Sequence, residues 1–342
     1  MREIAKKMGV SHVTVSLALS DNPRISHARR DAIKKTAEAM GYRPDPALTA
    51  LVHYRHSRMG ENKAHSVIAW LNFWPRPAML RSLREFDGYW TGAQEVAALY
   101  GYRLEEFVIN TELPLKRLET VLRSRSVPGI LLPPAPVAGM LKTEDFPWGE
   151  FAVVAFGQSH ASLPIHMVTS DQYAAGKLAF RSIVDRGYRR IGFTGFSDRL
   201  NYTRFFPGYI QEQFCMPKSD RIPPLFLENK KSHNPLEELR VWIARHKPDA
   251  IISEISELYS WLNEIGVHTP QQIGLATTTV LDGHADSGIY QNSEEIGRAA
   301  AETVISQINQ HHLGIPQVKR LILIEGVWRD GKTLPVRQPE RT

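Results

Sequence analysis

Short apolar periodicities, each opened by a serine or closed by a glycine, mark the first forty residues of the chain. Apolar residues recur at helical spacing over residues 2–8, and Gly9 ends that pattern. Ser11 is a suitable N-cap for a second helix, and Ser26 is a suitable N-cap for a third, which closes at Gly41. The pattern therefore predicts three short helices around a tight turn, the arrangement of a helix-turn-helix unit.

After residue 65 the pattern changes to strands that alternate with helices. Apolar runs predict strands at residues 67–73, 103–108, 129–132, 151–157, 190–194, 224–227 and 249–253. Helical spacing of apolar residues predicts helices at 87–100, 115–123, 173–186, 202–214 and 235–246. Crossover helices are typical of parallel sheets, and two successive α/β layers of similar size predict two lobes with a cleft between them.

The composition places the chain among globular proteins and restricts its location. Of the 342 residues, 42% are hydrophobic and 23% are charged, which is enough apolar material for a folded core. Cys215 is the one cysteine, no stretch approaches 18 consecutive apolar residues, and the N-terminus lacks the pattern of a signal peptide. We therefore expect a cytoplasmic protein rather than a membrane-bound or secreted one.

The excess of positive charge is confined to the N-terminal sixth of the chain. Residues 1–60 contain eleven basic and five acidic residues, whereas the remainder contains thirty-one of each. A basic head on a neutral body is expected of a polyanion-binding arm joined to a sensing or catalytic body. A solvated helical surface without a partner is the alternative interpretation.

Specific motifs in the head carry a family resemblance. They are IAKKMGVSHVTVSLAL at residues 4–19, PRIS at 23–26, Arg30, and GYRP at 41–44. In this order and spacing they resemble the N-terminal signature of LacI-family transcriptional regulators, in a nearly continuous match over residues 4–52. The chain begins almost inside the first helix, where the family usually has a few preceding residues, which leaves open whether the native start lies upstream of Met1.

The resemblance implies which residues contact DNA. It places the base-reading positions at His12, Val13 and Leu17. It places phosphate contacts near Ser11, Thr14, Ser16, Ser26 and Arg30, with Arg24 and Arg29 as additions. Val13 and Leu17 offer a thymine methyl only apolar contact or shape matching, so base specificity from this helix is expected to be modest. Ser11 and Ser26 also fit a simple capping role, and both roles are compatible.

Residues 44–52 resemble the hinge helix of the family. A helix this short is marginal alone in water, so we expect it to order only when paired with a second copy in a minor groove. Leu51 matches the position whose side chain wedges between base steps. A short amphipathic linker docked on its own protein is the alternative. Residues 330–342 show no leucine heptads, so we expect no tetramerising extension.

The resemblance extends more loosely into the body and implies a periplasmic-binding-protein-like core. It rests on the pairs at 170–171 and 175–176, on GYRRIGF at 187–193 and on the segment 314–326. The predicted divisions are a helix-turn-helix head (1–43), a hinge and linker (44–65) and an effector-binding and dimerisation core (66–342). Within the core, the N-lobe is predicted at about 66–157 and 291–324, and the C-lobe at about 158–290 and 325–342. The chain is thus expected to cross between lobes near Gly157, Tyr290 and Glu325.

Candidate effector-binding residues follow from their predicted positions at strand ends and crossovers. They are Phe73, Trp74, Phe156, Tyr202, Arg204, Ser253, Glu254, Thr277 and Gln291. Aromatic faces with a few polar groups suit a saccharide, although rings at strand ends are as often part of the core. Two sugar anchors common in the family are missing, because the expected Arg falls on Thr203 and the expected Asp falls on Thr277.

No motif supports cofactor or metal chemistry. The chain lacks the phosphate-binding, dinucleotide-binding, zinc-protease and nucleophile-elbow signatures, so no cofactor, no metal and no enzymatic activity are expected. The prediction is a homodimeric transcriptional regulator, a repressor, that binds double-stranded DNA at a near-palindromic operator. Its cleft is predicted to bind a small-molecule effector, a saccharide or a derivative of one. A cytoplasmic small-molecule sensor without a direct operator is the alternative, and an enzyme is third.

Overall fold

The computed structural model describes residues 2–19, 25–40, 66–200, 203–228 and 234–337. The chain divides into two compact units, Met1–Lys63 and Ala64–Thr342. Three predicted sites lie outside the described residues: Arg24 in the head, the hinge segment with Leu51, and Tyr202 in the body.

The N-terminal unit contains the three predicted helices. They are α1 (Arg2–Met8), α2 (His12–Leu19) and α3 (His27–Ala39). A small apolar core joins them, with Ile4, Val15 and Ile33 almost fully buried. Gly9 takes a left-handed conformation with φ of 62°, and the N–H of Val10 donates to the carbonyl of Ala5 at 3.0 Å. This is a Schellman turn, which ends α1 and aims the chain into α2.

The second unit contains two six-stranded sheets. The strands are β1 (Ser66–Asn72), β2 (Tyr102–Val108), β3 (Gly129–Leu132), β4 (Ala152–Phe156), β5 (His166–Ser170), β6 (Ile191–Phe196), β7 (Leu225–Leu227), β8 (Ala250–Ser253), β9 (Gly274–Thr277), β10 (Gly288–Tyr290), β11 (Leu321–Ile324) and β12 (Val327–Arg329). The first sheet has the order β11-β5-β4-β3-β1-β2 and is parallel throughout. The second has the order β12-β10-β9-β8-β6-β7, in which β12 alone is antiparallel to its neighbour.

Helices cover both sheets. They are α4 (Ala78–Ser82), α5 (Arg84–Leu99), α6 (Leu115–Ser124), α7 (Gln172–Asp185), α8 (Phe205–Gln213), α9 (Pro235–His246), α10 (Leu258–Glu264) and α11 (Ser293–Asn309). Single 3-10 turns lie at Thr143–Asp145, Trp148–Glu150, Gln158–His160, Ser197–Arg199 and Lys218–Asp220. The continuous apolar run of β1 follows from this layering, since Leu71 packs into the core on one face and Trp70 into the core on the other.

The chain first crosses from one sheet to the other after Ser170, not near Gly157 as the sequence predicts. Strand β5 pairs with both β4 and β11, so the chain stays in the first sheet until Ser170. The strand was missed because its buried positions include polar residues. The ring nitrogen Nδ1 of His166, for example, accepts a hydrogen bond from the N–H of Arg320 at 3.0 Å. The chain returns to the first sheet after β10 and crosses to the second sheet again after β11.

Two glycines set the distance between α5 and α11. A Cβ atom on Gly297 would lie 2.2 Å from the carbonyl oxygen of Tyr89, and one on Gly92 would lie 1.9 Å from that of Glu294. Such distances are far inside van der Waals contact, so these helices approach closely only because both positions lack a side chain. The contact between the two helices fixes α5 against the first sheet. The first turn of α5 then faces the cavity between the lobes.

Candidate functional site

The exposed start of α2 is the candidate DNA-contacting surface of the head. The hydroxyl of Ser11 accepts a hydrogen bond from the N–H of Thr14 at 3.0 Å, and the two hydroxyls lie 2.8 Å apart. Ser11 therefore caps α2, as predicted. The side chain of Val13 is 64% exposed, a large apolar group turned to solvent next to the cap. His12, Ser16 and Leu17 lie in α2, but their side chains are outside the described part of the chain.

The start of α3 adds positive charge to the same unit. Ser26 stands before the first helical residue, and its carbonyl accepts from the N–H groups of Arg29 and Arg30 at 3.1 and 3.0 Å. Arg29 is exposed and Arg30 is half-buried. A helix N-terminus with adjacent guanidinium groups is a suitable partner for a phosphate.

The body contains a cavity of about 780 Å³ at the carboxyl ends of strands of both sheets. In the first sheet, Trp74 follows β1, Pro134 follows β3 and Gln158 follows β4. In the second, Glu254 follows β8 and Thr278 follows β9. This is the edge at which α/β proteins usually bind ligands.

Three of the predicted effector residues line the cavity, namely Trp74, Glu254 and Gln291. The indole N–H of Trp74 donates to the carbonyl of Pro134 at 2.9 Å, which fixes the ring at the cavity wall. The side-chain oxygen of Gln291 accepts from the hydroxyl of Ser170 at 2.5 Å, and its amide nitrogen donates to the carbonyl of Thr278 at 3.1 Å.

The predicted rings Phe73 and Phe156 are core residues instead. Phe73 is buried in the apolar cluster on the far face of the first sheet, because successive side chains of an extended segment point to opposite faces. Phe156 is fully buried and stacks on Tyr89, with ring centres 5.2 Å apart and planes at 13°. Its contribution to the cavity is therefore indirect, since it supports the lining ring of Tyr89.

The remaining predicted residues also stand outside the lining. Ser253 is buried, with its hydroxyl accepting from Thr194 at 2.9 Å and from the N–H of Ile255 at 2.9 Å. Thr277 is buried beneath the following turn. Arg204 precedes α8, and its backbone N–H donates to the side-chain oxygen of the cavity residue Gln172 at 2.9 Å.

Sequence reasoning missed much of the lining. Phe86 and Tyr89 come from α5, Phe205 begins α8, and Trp261 lies in α10. Helical periodicity alone does not reveal which apolar residue of a helix end faces a cavity. The turns after β3 and β9 could have been found, because loops at the carboxyl ends of parallel strands are the expected ligand positions.

A buried carboxylate, Glu85, connects the two lobes at the cavity. The Thr279 hydroxyl donates to its Oε2 atom at 2.5 Å, the Tyr89 hydroxyl donates to Oε1 at 3.3 Å, and the Gln291 amide donates to Oε2 at 3.3 Å. Asp282 accepts hydrogen bonds from the first N–H groups of α5, including that of Glu85 at 3.0 Å. Burial raises the pKa of Glu85 to about 7, against the opposing effect of the Thr279 hydrogen bond.

A second carboxylate at the cavity, Glu254, is half-buried and poorly paired. Its Oε2 atom has a long contact of 3.4 Å with the hydroxyl of Thr203, whereas Oε1 is shielded from solvent and has no hydrogen-bond partner. Burial raises the pKa of Glu254 to about 7, and the nearby charge of Arg199 only partly offsets this. A buried polar atom without a partner is uncommon in folded proteins.

No helix among the described residues is long and apolar enough to span a bilayer. Within the same residues, no group of three or more His, Cys, Asp or Glu side chains is placed to hold a metal ion.

Comparison with known proteins agrees with this arrangement. Residues 1–45 match the model of the family described as bacterial regulatory proteins, lacI family. The HTH-type transcriptional regulator MalR of Staphylococcus xylosus is 22% identical over 330 residues, with 92% of each chain covered. The NTD biosynthesis operon regulator NtdR of Bacillus subtilis (strain 168) is 24% identical over 202 residues, which cover 56% of this chain and 53% of that protein.

Solved structures share the fold over nearly the whole chain. The transcriptional regulator CelR in its cellobiose complex has a TM-score of 0.57 and 16% identity, covering 96% of this chain and 98% of that one. The Lac repressor dimer bound to operator and the anti-inducer ONPF has a TM-score of 0.54 and 14% identity, covering 97% and 98%.

A helix-turn-helix head and a two-lobed, periplasmic-binding-protein-like core define the class as a DNA-binding transcriptional regulator. Over residues 1–45 the chain matches the lacI family of bacterial regulatory proteins, and its longer matches are to transcriptional regulators.

Proposed function

We propose that the protein is a repressor that binds a near-palindromic operator as a homodimer and is controlled by a small-molecule effector in the cavity, a saccharide or a derivative of one. The observation that carries the proposal is the cavity itself, which lies between two lobes and combines aromatic rings with buried hydrogen-bonding groups. Rings stack on the C–H faces of sugars, and buried polar groups pair with hydroxyls. The MalR name and the cellobiose complex of CelR are consistent with this class.

The proposed control works through the contacts between the lobes. Glu85 belongs to the N-lobe, which contains the first sheet, whereas Thr279 and Asp282 belong to the C-lobe, which contains the second sheet. A ligand that binds beside these groups favours one lobe arrangement over the other. In a dimer the change alters the separation of the two heads, and a coupling of about 1 to 3 kcal/mol changes operator occupancy roughly 5- to 150-fold.

DNA contact is proposed for the residues implied by the family resemblance. Val13, Thr14 and Ser11 lie together at the start of α2, while Arg29 and Arg30 lie in the first turn of α3. One head offers few base contacts. A dimer contacts two half-sites with its two heads and so doubles the number of base contacts.

The test is selection of binding sites from random DNA with the full-length protein, followed by mass measurement of the complex. We expect an enriched palindrome and two chains per site, and an effector that raises the melting temperature is expected to change affinity for that site. The variant Val13→Glu introduces a charge at an exposed position and is expected to lose the site, whereas Glu264→Gln on α10 is the matched control. No enriched sequence, or a single chain per site, contradicts the proposal.

A further inference from the structure

The charge of the cavity is unbalanced. Among the lining residues that the structure describes, five carboxylates accompany one guanidinium: Glu85, Glu228, Glu254, Glu257 and Asp282 against Arg199. An acidic saccharide or a sugar phosphate would enter a region of like charge, which opposes its binding. A ligand with a positive charge would be attracted.

The carboxylates differ in what they already bind. Asp282 accepts hydrogen bonds from the backbone of α5, and Glu85 accepts from three side chains. Glu254 differs from these two, because its buried Oε1 atom has no partner while the side chain lines the cavity. Its neighbour Thr203 contributes only a hydroxyl and no charge. Rotation of the Glu254 carboxylate toward the cavity would let an ammonium group there supply the hydrogen bond that Oε1 lacks, and it would add a second positive charge beside that of Arg199.

Aromatic rings complete the set of groups that recognise an organic cation. Trp74 and Phe86 have ring centres 6.5 Å apart at 64°, and Phe86 and Tyr89 have centres 5.7 Å apart. All three rings line the cavity, as do Phe196 and Phe205. Ring faces attract cations, most strongly where water is displaced, and they also stack on sugar rings.

We propose that the effector carries a protonated amine that pairs with Glu254, so that it belongs to the amino-sugar class rather than to the neutral or acidic saccharides. This inference rests on the proposed effector function of the cavity and specifies its ligand chemistry.

The test uses the full-length protein and matched probes that differ in charge. Glucosamine, galactosamine and mannosamine are compared with their neutral parent sugars, with their N-acetyl derivatives and with glucuronate, by calorimetry and melting temperature. We expect at least one amino sugar to bind about tenfold or more tightly than its parent and its N-acetyl derivative, the usual size of a charge-assisted contact. Glu254→Gln is expected to remove this preference, and Glu264→Gln, outside the cavity lining, is expected to retain it.

A proton balance gives a second, independent readout. Because the pKa of Glu254 is about 7, this side chain is protonated in most of the protein molecules at pH 6.5. Pairing with an ammonium group favours the ionised carboxylate and so releases the proton. Calorimetry in two buffers of different ionisation enthalpy should show release of about three quarters of a proton, lost in Glu254→Gln.

The outcomes separate the inference from the function on which it depends. Binding of neutral or acidic sugars without an amino-sugar preference, abolished by Trp74→Ala, would retain the effector function and overturn the inference. Amino-sugar binding that Glu254→Gln leaves unchanged would also overturn it. If no probe of any charge binds, the effector function is rejected and the inference is rejected with it.

Discussion

Replacement of Glu254 by Gln is expected to flatten the pH dependence of stability. The carboxyl group has a pKa of about 7 in the folded protein against an ordinary value of 4.5, so the folded state holds its proton more tightly than the unfolded state. The stabilisation that this proton provides is complete below about pH 4.5 and is lost as pH rises to about 7. A difference of about 2.5 pKa units corresponds to about 3 kcal/mol in total.

The assay is thermal unfolding between pH 5 and pH 8 in the absence of ligand. For a folded unit of this size, 3 kcal/mol corresponds to a change in melting temperature of about 5 °C. Between pH 5 and pH 8, the melting temperature of the parent protein should therefore fall by several degrees more than that of Glu254→Gln. The comparison uses this change with pH, so a constant difference in melting temperature between the two proteins does not affect it. Glu85 remains in the variant and keeps part of the original decline, because burial also raises its pKa to about 7. Parallel curves for the variant and the parent protein would refute the assignment of a buried, unpaired carboxyl to Glu254.

Three further predictions concern other parts of the chain. Gly297→Ala should lower the free energy of unfolding by about 2 kcal/mol, because its Cβ would lie 2.2 Å from the Tyr89 carbonyl, whereas Gly149→Ala, with no atom within 4 Å, should be neutral in the same denaturant titration. Val13→Glu should weaken operator binding at least tenfold in a mobility-shift assay while the melting temperature stays unchanged, and a shifted melting temperature would show a folding defect instead. Asp282→Ala should cost about 1 kcal/mol in chemical unfolding, since it removes the cap of α5, and full stability would mean that water replaces that cap.

Local patterns predicted most of the secondary structure because each element is stabilised by its own apolar face. The strand Gly129–Leu132 and the helix Pro235–His246 have the predicted bounds. Strand β5 escaped prediction because His166 and Thr169 are buried polar residues, which only neighbouring strands can satisfy. The misplaced crossing at Gly157 follows directly from that omission.

The cavity was predicted only in part, for a related reason. Trp74 and Glu254 lie within two residues of a strand end, and this position in the sequence was enough to predict that they lie at the cavity. Glu85 and Tyr89 lie on a helix whose orientation depends on a glycine contact with α11, more than two hundred residues further along the chain. No pattern confined to one helix contains that information. Long-range packing thus determines which side chains of α5 reach the cavity.

The way in which the lobes meet at the cavity bears on the proposed control. Among the described residues, hydrogen bonds run from Thr279 to Glu85 and from the backbone of α5 to Asp282, while the apolar clusters of the two sheets stay separate. Each such bond contributes on the order of 1 kcal/mol net, because water offers competing partners when the lobes separate. The sum is comparable with an allosteric coupling of about 1 to 3 kcal/mol. A ligand that competes for Glu85 or binds Glu254 therefore acts on an equilibrium of matching size, whereas an apolar interface would require far more energy to shift.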